Sequence, residues 1–195
     1  MKRSAKYQRN TLETQVSVEL GLDGSGEADI KTGIGFFDHM LELLAKHGMM
    51  DLKVACNGDL KVDCHHTVED VGICLGNALK KALGSKESIT RYGAAAVPMD
   101  EALGFAAVDM GGRAFLVYEA PFSGIRCGDY ELQCTEEFFR ALANNAGLTL
   151  HIRSSYGSND HHMIEAMFKA FSRALAQAVT LDPRVSGVLS TKGLL

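Results

Sequence analysis

The 195-residue chain is 46% apolar and carries a net charge of −4, enough apolar content for a core and no basic surplus of the kind that marks a nucleic-acid or anionic-membrane partner. The basic stretch Met1 to Asn10 is followed by no apolar run, and no stretch of about 18 apolar residues occurs, so neither a secretory signal nor a membrane span is expected and the chain reads as cytoplasmic. Five cysteines, an odd number without a Cys-x-x-Cys pair, suit reduced thiols better than a disulfide framework or a cysteine zinc site.

Leu12 to Leu20 alternates polar and apolar residues, the period of a half-buried strand, and Leu22-Asp-Gly-Ser-Gly26 predicts a hairpin back into Glu27 to Lys31. Gly33 to Gly48 changes to helical period with a glycine at each end and Asp38 as a candidate cap. Asp51 to Cys56 and Asp59 to Asp63 read as two short strands about an Asn57-Gly58 turn. A helix from Cys64, closed by Gly84, completes the first half. After a polar link, Ala94 to Val97, Leu103 to Asp109 and Arg113 to Glu119 read as strands, with Gly111-Gly112 as a tight turn between the last two. Thr135 to Gly147 is predicted as a helix, Leu148 to Ser154 as a strand, Asp160 to Ala178 as a helix, and Asp182 to Leu195 as an irregular tail.

The two halves, 1–90 and 91–195, thus repeat strands, helix, strand, helix. The expected fold is α+β, an internally duplicated two-layer domain in which each half is a mostly antiparallel sheet with two helices on one face. The repeat is anchored by His65-His66-Thr-Val-Glu69, which returns as His161-His162-Met-Ile-Glu165 at a constant offset (161 − 65 = 96).

Both copies sit at helix starts. The first His and the Glu are four apart and the second His and the Glu three apart, so all three donors project from one side. Adjacent histidines diverge by roughly 100° about the axis and can reach two ions rather than one. A single such motif is as easily a charged helix start as a ligand set; two in register point to metal. His39 and His151 raise the count to eight donors with His65, His66, Glu69, His161, His162 and Glu165, four for each of two ions. Ions preferring six ligands would keep open positions for substrate. His47, the remaining histidine, is the candidate for touching substrate. Arg91, Arg113 and Lys192 lie near glycine-rich turns and suit a phosphate.

These strings resemble the imidazoleglycerol-phosphate dehydratase family: Leu12-Glu-Thr, Thr32-Gly-Ile-Gly-Phe-Phe-Asp-His-Met-Leu41, Gly58-Asp-Leu-Lys-Val-Asp63, His65-His-Thr-Val-Glu-Asp70, Arg91-Tyr-Gly, Val97-Pro-Met-Asp-Glu101, Thr149-Leu-His-Ile152, Asn159-Asp-His-His162, Glu165-Ala-Met-Phe-Lys-Ala170 and Ser190-Thr-Lys-Gly193, in order along nearly the whole chain. The chain departs from the family's pattern at Leu43, where many relatives carry glutamine. The resemblance implies dehydration of imidazoleglycerol phosphate to imidazole acetol phosphate, without a fused phosphatase activity. It implies two manganese ions per subunit and a homo-oligomer of 24 subunits with sites at the interfaces. It also implies that Arg91, Arg113, Ser190 and Lys192 hold the phosphate and that Glu13 and His47 face substrate. The hydrogen to be removed lies beside no carbonyl, so the electrons must come from the imidazole ring. A ring stripped of its N–H and stabilised by two cations can expel the neighbouring hydroxyl through a diazafulvene-like intermediate. Glu13 is the candidate acid for the hydroxyl, and Glu165, or a metal-bound water near it, the candidate for moving the proton. A dinuclear phosphate-ester hydrolase would be richer in aspartate, and a metal-storage protein would not need the basic residues. The two paired-histidine helices, as pseudo-twofold mates, are expected side by side, with first-half and second-half donors meeting between chains.

Overall fold

The computed structural model describes residues 3–194; Met1 and Lys2 of the basic N-terminal stretch and Leu195 of the tail lie outside the described residues. The first half contains β1 (Ser4–Asn10), β2 (Thr14–Gly21), β3 (Ala28–Lys31), α1 (Gly35–Gly48), β4 (Asp51–Gly58) and α2 (His65–Leu83). The second contains β5 (Tyr92–Met99), β6 (Ala102–Asp109), β7 (Phe115–Glu119), a small β8–β9 hairpin (Arg126–Cys127, Tyr130–Glu131), α3 (Cys134–Ala146), β10 (Thr149–Tyr156) and α4 (Asp160–Val179). The sheets have matching orders, β1-β2-β4-β3 and β5-β6-β10-β7, each with two antiparallel pairings and one parallel pairing. This is the expected duplicated α+β fold.

The alternation in β2 buries Val16, Val18 and Leu20, and that in β4 buries Leu52 and Val54; in the second half Ala106, Val108, Leu150 and Ile152 do the same. Helices α1 and α2 cover this face of the first sheet and α3 and α4 that of the second, so the core lies between sheets and helices and continues between the helices. The two paired-histidine helices are not each other's partners: α2 packs on α3, and α4 on α1.

Three expected turns are corrected. The chain after β2 does not fold back on it; β2 pairs with β1 and β4, and β3 joins the far side of β4 in parallel. The alternating period reports a buried face, not the identity of the neighbouring strand, and the polar β1 hides its pairing behind half-buried Ala5, Tyr7 and Arg9. Asn57-Gly58 ends β4 opposite Gln15 and Thr14 instead of turning a hairpin. A Cβ at Gly58 would stand 2.0 Å from Thr67 Oγ1, so the glycine serves close approach of α2. Asp59 to Asp63 is a turn, closed by Val62 N–H to Asp59 O at 2.8 Å, and Asp63 then accepts from His65 N–H at 2.7 Å at the start of α2. Gly111-Gly112 does not join paired strands either, because β7 lies beyond β10 from β6; Gly112 (φ 85°) carries the crossing past Gly147. Asp38 caps no helix: it sits inside the first turn of α1 and accepts from Thr32 N–H at 2.8 Å, tying down the entering loop. No described helix is long and apolar enough to cross a membrane.

Candidate active site

Helix α4 is capped by Asn159, whose side chain accepts from the N–H groups of His161 (3.0 Å) and His162 (3.4 Å), satisfying two donors that the helix cannot. This start faces α1. There His39 Nε2 lies 3.7 Å and His161 Nε2 3.3 Å from the same oxygen of Glu165. One ligand atom from each of His39, His161 and Glu165 falls within 4.8 Å of the others. Donors about 2.1 Å from an ion stand at most about 4.2 Å apart, so closing on one requires a shift of under about an ångström. Two imidazoles and a carboxylate fit a divalent transition ion. First-half and second-half donors therefore meet within one chain at this group. Glu165 is buried, yet its carboxyl stays below the usual range: burial opposes ionisation, and Lys169, 2.5 Å away, outweighs it together with the charges of His39 and His161. Phe36 holds the His161 ring edge-on at 5.0 Å.

The other donors form partial sets. His65 Nε2 and Glu69 lie 3.9 Å apart, both half-exposed. His66 sets Nδ1 3.0 Å from Asp59 and Nε2 4.0 Å from Glu13, which lies in the turn before β2 rather than within the strand. His162 sets Nδ1 2.8 Å from Glu101. Hydrogen bonds to Asp59 and Glu101 raise the pKa of His66 and His162, and His162 with the Ser158 and Asn159 N–H groups holds Glu101 down at about 2. His151 does not turn towards either set. It is exposed on the outer face of the second sheet, alternating with the buried Leu150 and Ile152 that face the helices.

Arg91, Arg113, Ser190 and Lys192 line one cavity of about 600 Å³, together with Lys80 and Lys86. Arg91 holds Asp109 through two nitrogens (2.7 and 3.1 Å) and donates to Leu189 O at 2.7 Å, fixing the tail over the cavity. Among the described residues no carboxylate is ion-paired with Arg113, Ser190 lies beside Lys192 N–H at 3.2 Å, and the cavity is strongly cationic. His47, at the far end of α1 from His39, is partly buried, and burial and then the charges of Lys169 and Arg173 lower its pKa, so it is neutral near pH 7. Leu43 packs against the core, an apolar use of that position.

Lys169, Asp59, Glu101, Lys80 and Lys86 escaped the sequence reading. Lys169 had a local signal, its spacing of four from Glu165 on one helix. The others had none: Glu101 precedes His162 by 61 residues (162 − 101 = 61), and only the fold brings them together.

Residues 32–175 match the family model of imidazoleglycerol-phosphate dehydratase. The chain belongs to the imidazoleglycerol-phosphate dehydratase family. It is 59% identical over 192 residues to the imidazoleglycerol-phosphate dehydratase of Clostridium acetobutylicum, covering 98% of each chain. It is 56% identical over 195 residues to that of Acetivibrio thermocellus, covering both completely. Its fold superposes on the crystal structure of the dehydratase from Staphylococcus aureus with a TM-score of 0.83, at 40% identity, over 92% of this chain and 99% of that one. The dehydratase from Pyrococcus furiosus, solved in complex with (S)-C348, gives 0.81 at 35% identity, over 96% and 99%. The chain is thus a hydro-lyase that dehydrates imidazoleglycerol phosphate in histidine biosynthesis.

Proposed function

We propose that this dehydration uses two manganese ions per subunit and a site assembled from more than one subunit of a 24-subunit homo-oligomer. One observation carries the shared site. The phosphate-type cavity lies at the C-terminal end of α4, where Arg91 N–H bonds Ala178 O at 2.9 Å, while the His39–His161–Glu165 group lies at its N-terminal end. Seventeen residues separate His161 from Ala178 (178 − 161 = 17), about 25 Å of helix at 1.5 Å per residue. A sugar-phosphate-sized substrate cannot bridge that gap, so its imidazole and phosphate ends are served by different chains. His151, facing outward, and the partial His65–Glu69 and His66 sets are donors that a neighbouring subunit can complete.

The residues that would hold the ions are His39, His65, His66, Glu69, His151, His161, His162 and Glu165. When bound, the pair supplies positive charge that stabilises the substrate's imidazole ring after loss of its N–H. Arg91, Arg113, Ser190 and Lys192 hold the phosphate, which orients the reacting carbons. Glu13, exposed and 4.0 Å from His66 Nε2, passes to the departing hydroxyl the proton that the ring N–H gives up, so that water leaves, and Glu165, kept ionised by Lys169, takes up the proton from the next carbon and returns it to the ring as the enol of imidazole acetol phosphate forms. Neutral His47 contacts the substrate.

Subunit mixing tests the shared site. His161→Ala subunits, inactive or nearly so alone, and Lys192→Ala subunits, which turn over little at substrate concentrations near the wild-type KM, are dissociated, mixed, reassembled with manganese and assayed at that concentration. Restored production of imidazole acetol phosphate is expected, because some sites receive an intact half from each variant. A mixture no more active than its components would place the whole site in one chain. Inorganic phosphate as product would signal ester hydrolysis instead.

A further inference from the structure

The geometry points to Asp59 and Glu101 as positioning residues that fix the tautomer of His66 and His162 and leave each Nε2 unprotonated to ligate a metal; this rests on the manganese site proposed above. In both halves the second histidine of the pair turns Nδ1 onto a carboxylate, at 3.0 Å for Asp59 and 2.8 Å for Glu101. A carboxylate can only accept, so in the neutral imidazole the proton sits on Nδ1 and the lone pair on Nε2.

The two carboxylates are not copies of each other. Asp59 comes from the turn after β4, seven residues before its histidine (66 − 59 = 7), and Glu101 from the β5–β6 turn, 61 before its own (162 − 101 = 61). Duplication explains the paired histidines but not this. Equivalent nitrogens received the same kind of partner from unrelated places, as expected where ligation by Nε2 requires it. Orienting carboxylates of this sort typically contribute about 10–100-fold to metal affinity.

Their anchoring differs, and this separates a tautomer-setting role from a merely structural one. Glu101 has one oxygen committed to the N–H groups of Ser158 (3.0 Å) and Asn159 (2.8 Å), and the other faces His162. In Glu101→Gln the carbonyl oxygen stays with the two N–H groups, and the amide NH2 must face Nδ1. It then donates to that nitrogen and drives the proton to Nε2, which can no longer bind an ion. Asp59 sets both oxygens near His66 Nδ1, at 3.2 and 3.0 Å. In Asp59→Asn the amide can rotate to present its oxygen, keeping the tautomer and losing only the charge.

The test is manganese titration of the metal-free oligomer, followed through the electron paramagnetic resonance signal of free Mn(II), with thermal unfolding of each metal-free variant alongside. Glu101→Gln should weaken binding of one ion by about 100-fold, Asp59→Asn by about 10-fold or less, and Glu101→Asp should recover much of the loss. Unfolding of the metal-free proteins should change little. Wild-type affinity in both variants, or a loss that tracks lowered melting of the metal-free protein, overturns the inference while leaving the metal site standing. A wild-type protein that takes up no manganese sinks the metal site and the inference with it.

Discussion

The two halves share one topology yet place their close contacts on opposite sides of the repeated helix. In α2, Cβ atoms at Gly72 and Gly76 would stand 2.8 Å from Phe138 O and 2.7 Å from Leu142 O, so glycine brings α2 and α3 backbone to backbone. At the matching positions of α4 (168 − 72 = 96, 172 − 76 = 96) stand Phe168, wedged against Phe138 and Phe139, and Ser172. On the sheet side the order reverses. Leu20 faces Leu52 as Val108 faces Leu150, which equates Val16 with Gly104 and Ala5 with Gly93 (108 − 20 = 104 − 16 = 93 − 5 = 88). A Cβ at Gly104 would lie 2.3 Å from Ala166 C and one at Gly93 1.9 Å from Ala174 O, so α4 rests directly on its sheet. Duplication preserved the element order, while packing drew α2 towards the other half and α4 towards its own sheet.

The chemistry diverged with the packing. Both α1 and α3 end by bonding the residue two beyond the helix to the same carbonyl, Met50 N–H to Ala45 O and Leu148 N–H to Ala143 O, each at 3.1 Å. That match (148 − 50 = 98) sets Glu137 where the first half has His39, and His151 where it has Lys53. The α1–α4 seam therefore collects three groups able to hold an ion, and at the α2–α3 seam, among the described residues, His65 has Glu69 as its acidic neighbour.

The largest effect should come from disarming the complete seam. His161→Ala or Glu165→Gln should lower kcat by about a thousandfold or more, about 4 kcal/mol of barrier, and reduce manganese content from about two per chain. Full turnover in a metal-free sample would remove the ions from the reaction. The same contrast predicts that small oligomers made by chelation retain about one ion per chain on careful remetallation, at the α1–α4 seam, and regain the second only on reassembly. Sedimentation with metal analysis reads both; particles whose mass ignores metal at every concentration would mean that the ions lie within chains or that other contacts dominate the assembly.

Giving the second half the first half's residue is the next test. Gly104→Val should cost about 3 kcal/mol or more, because the obstacle is the backbone of α4 and cannot rotate away. Val16→Ala should cost only about 1–3 kcal/mol by leaving a cavity. On the helix side, Gly76→Ala should destabilise by about 1–3 kcal/mol despite the better helix propensity of alanine, as read by denaturant unfolding. A stabilised Gly76→Ala protein would mean that α2 and α3 are further apart than the structure shows.

In the cationic cavity, Arg113→Ala or Lys192→Ala should raise KM by about 10–100-fold with smaller losses in kcat and metal content, as expected for groups holding the end remote from chemistry. Arg91→Ala should in addition lower the melting temperature, since Arg91 ties Asp109 to the tail carbonyl of Leu189. Unchanged kinetics in the first two would move the phosphate elsewhere.

Self-similarity made the repeat and its paired histidines legible, and alternation or helical period located both long helices and most strands. Strand neighbours were not legible: the period of Thr14 to Leu20 shows that Val16 and Val18 are buried but cannot say that β1 and β4, rather than β3, flank them. The eight donors could be named together, but the parity of His151 with buried Leu150 and Ile152 turns it out, away from the helix starts. Parity was already readable there. Asp59 and Glu101 were not, because a carboxylate becomes a partner of His66 or His162 only through the path of the intervening chain.

The smallest and most pointed contrast concerns His47. The same offsets equate it with Asn145 (145 − 47 = 98) and equate Arg173 with Asn77 (173 − 77 = 96). Where α2 and α3 cross, Asn77 Nδ2 donates to Asn145 Oδ1 at 2.9 Å, a neutral bond that ties the halves together. Where α4 crosses α1, the pair is an imidazole beside a guanidinium, which repel if both are charged. Asn77→Ala should thus cost about 1 kcal/mol of stability and leave turnover unchanged, whereas His47→Asn should lower turnover with little loss of stability. The pH dependence follows in sign. Burial, then Lys169 and Arg173, hold the folded pKa of His47 below its ordinary 6.5, against a smaller opposing pull from Glu165. The unfolded chain therefore binds the proton more readily, and stability from this group, full above about pH 6.5, falls as the pH drops through and below that value. His47→Asn should make the stability of the metal-free protein fall less steeply between about pH 7 and 5 than wild type. Equal slopes would show that neither burial nor the neighbouring cations shift His47, and with that the parallel between the two crossings would reduce to sequence position alone.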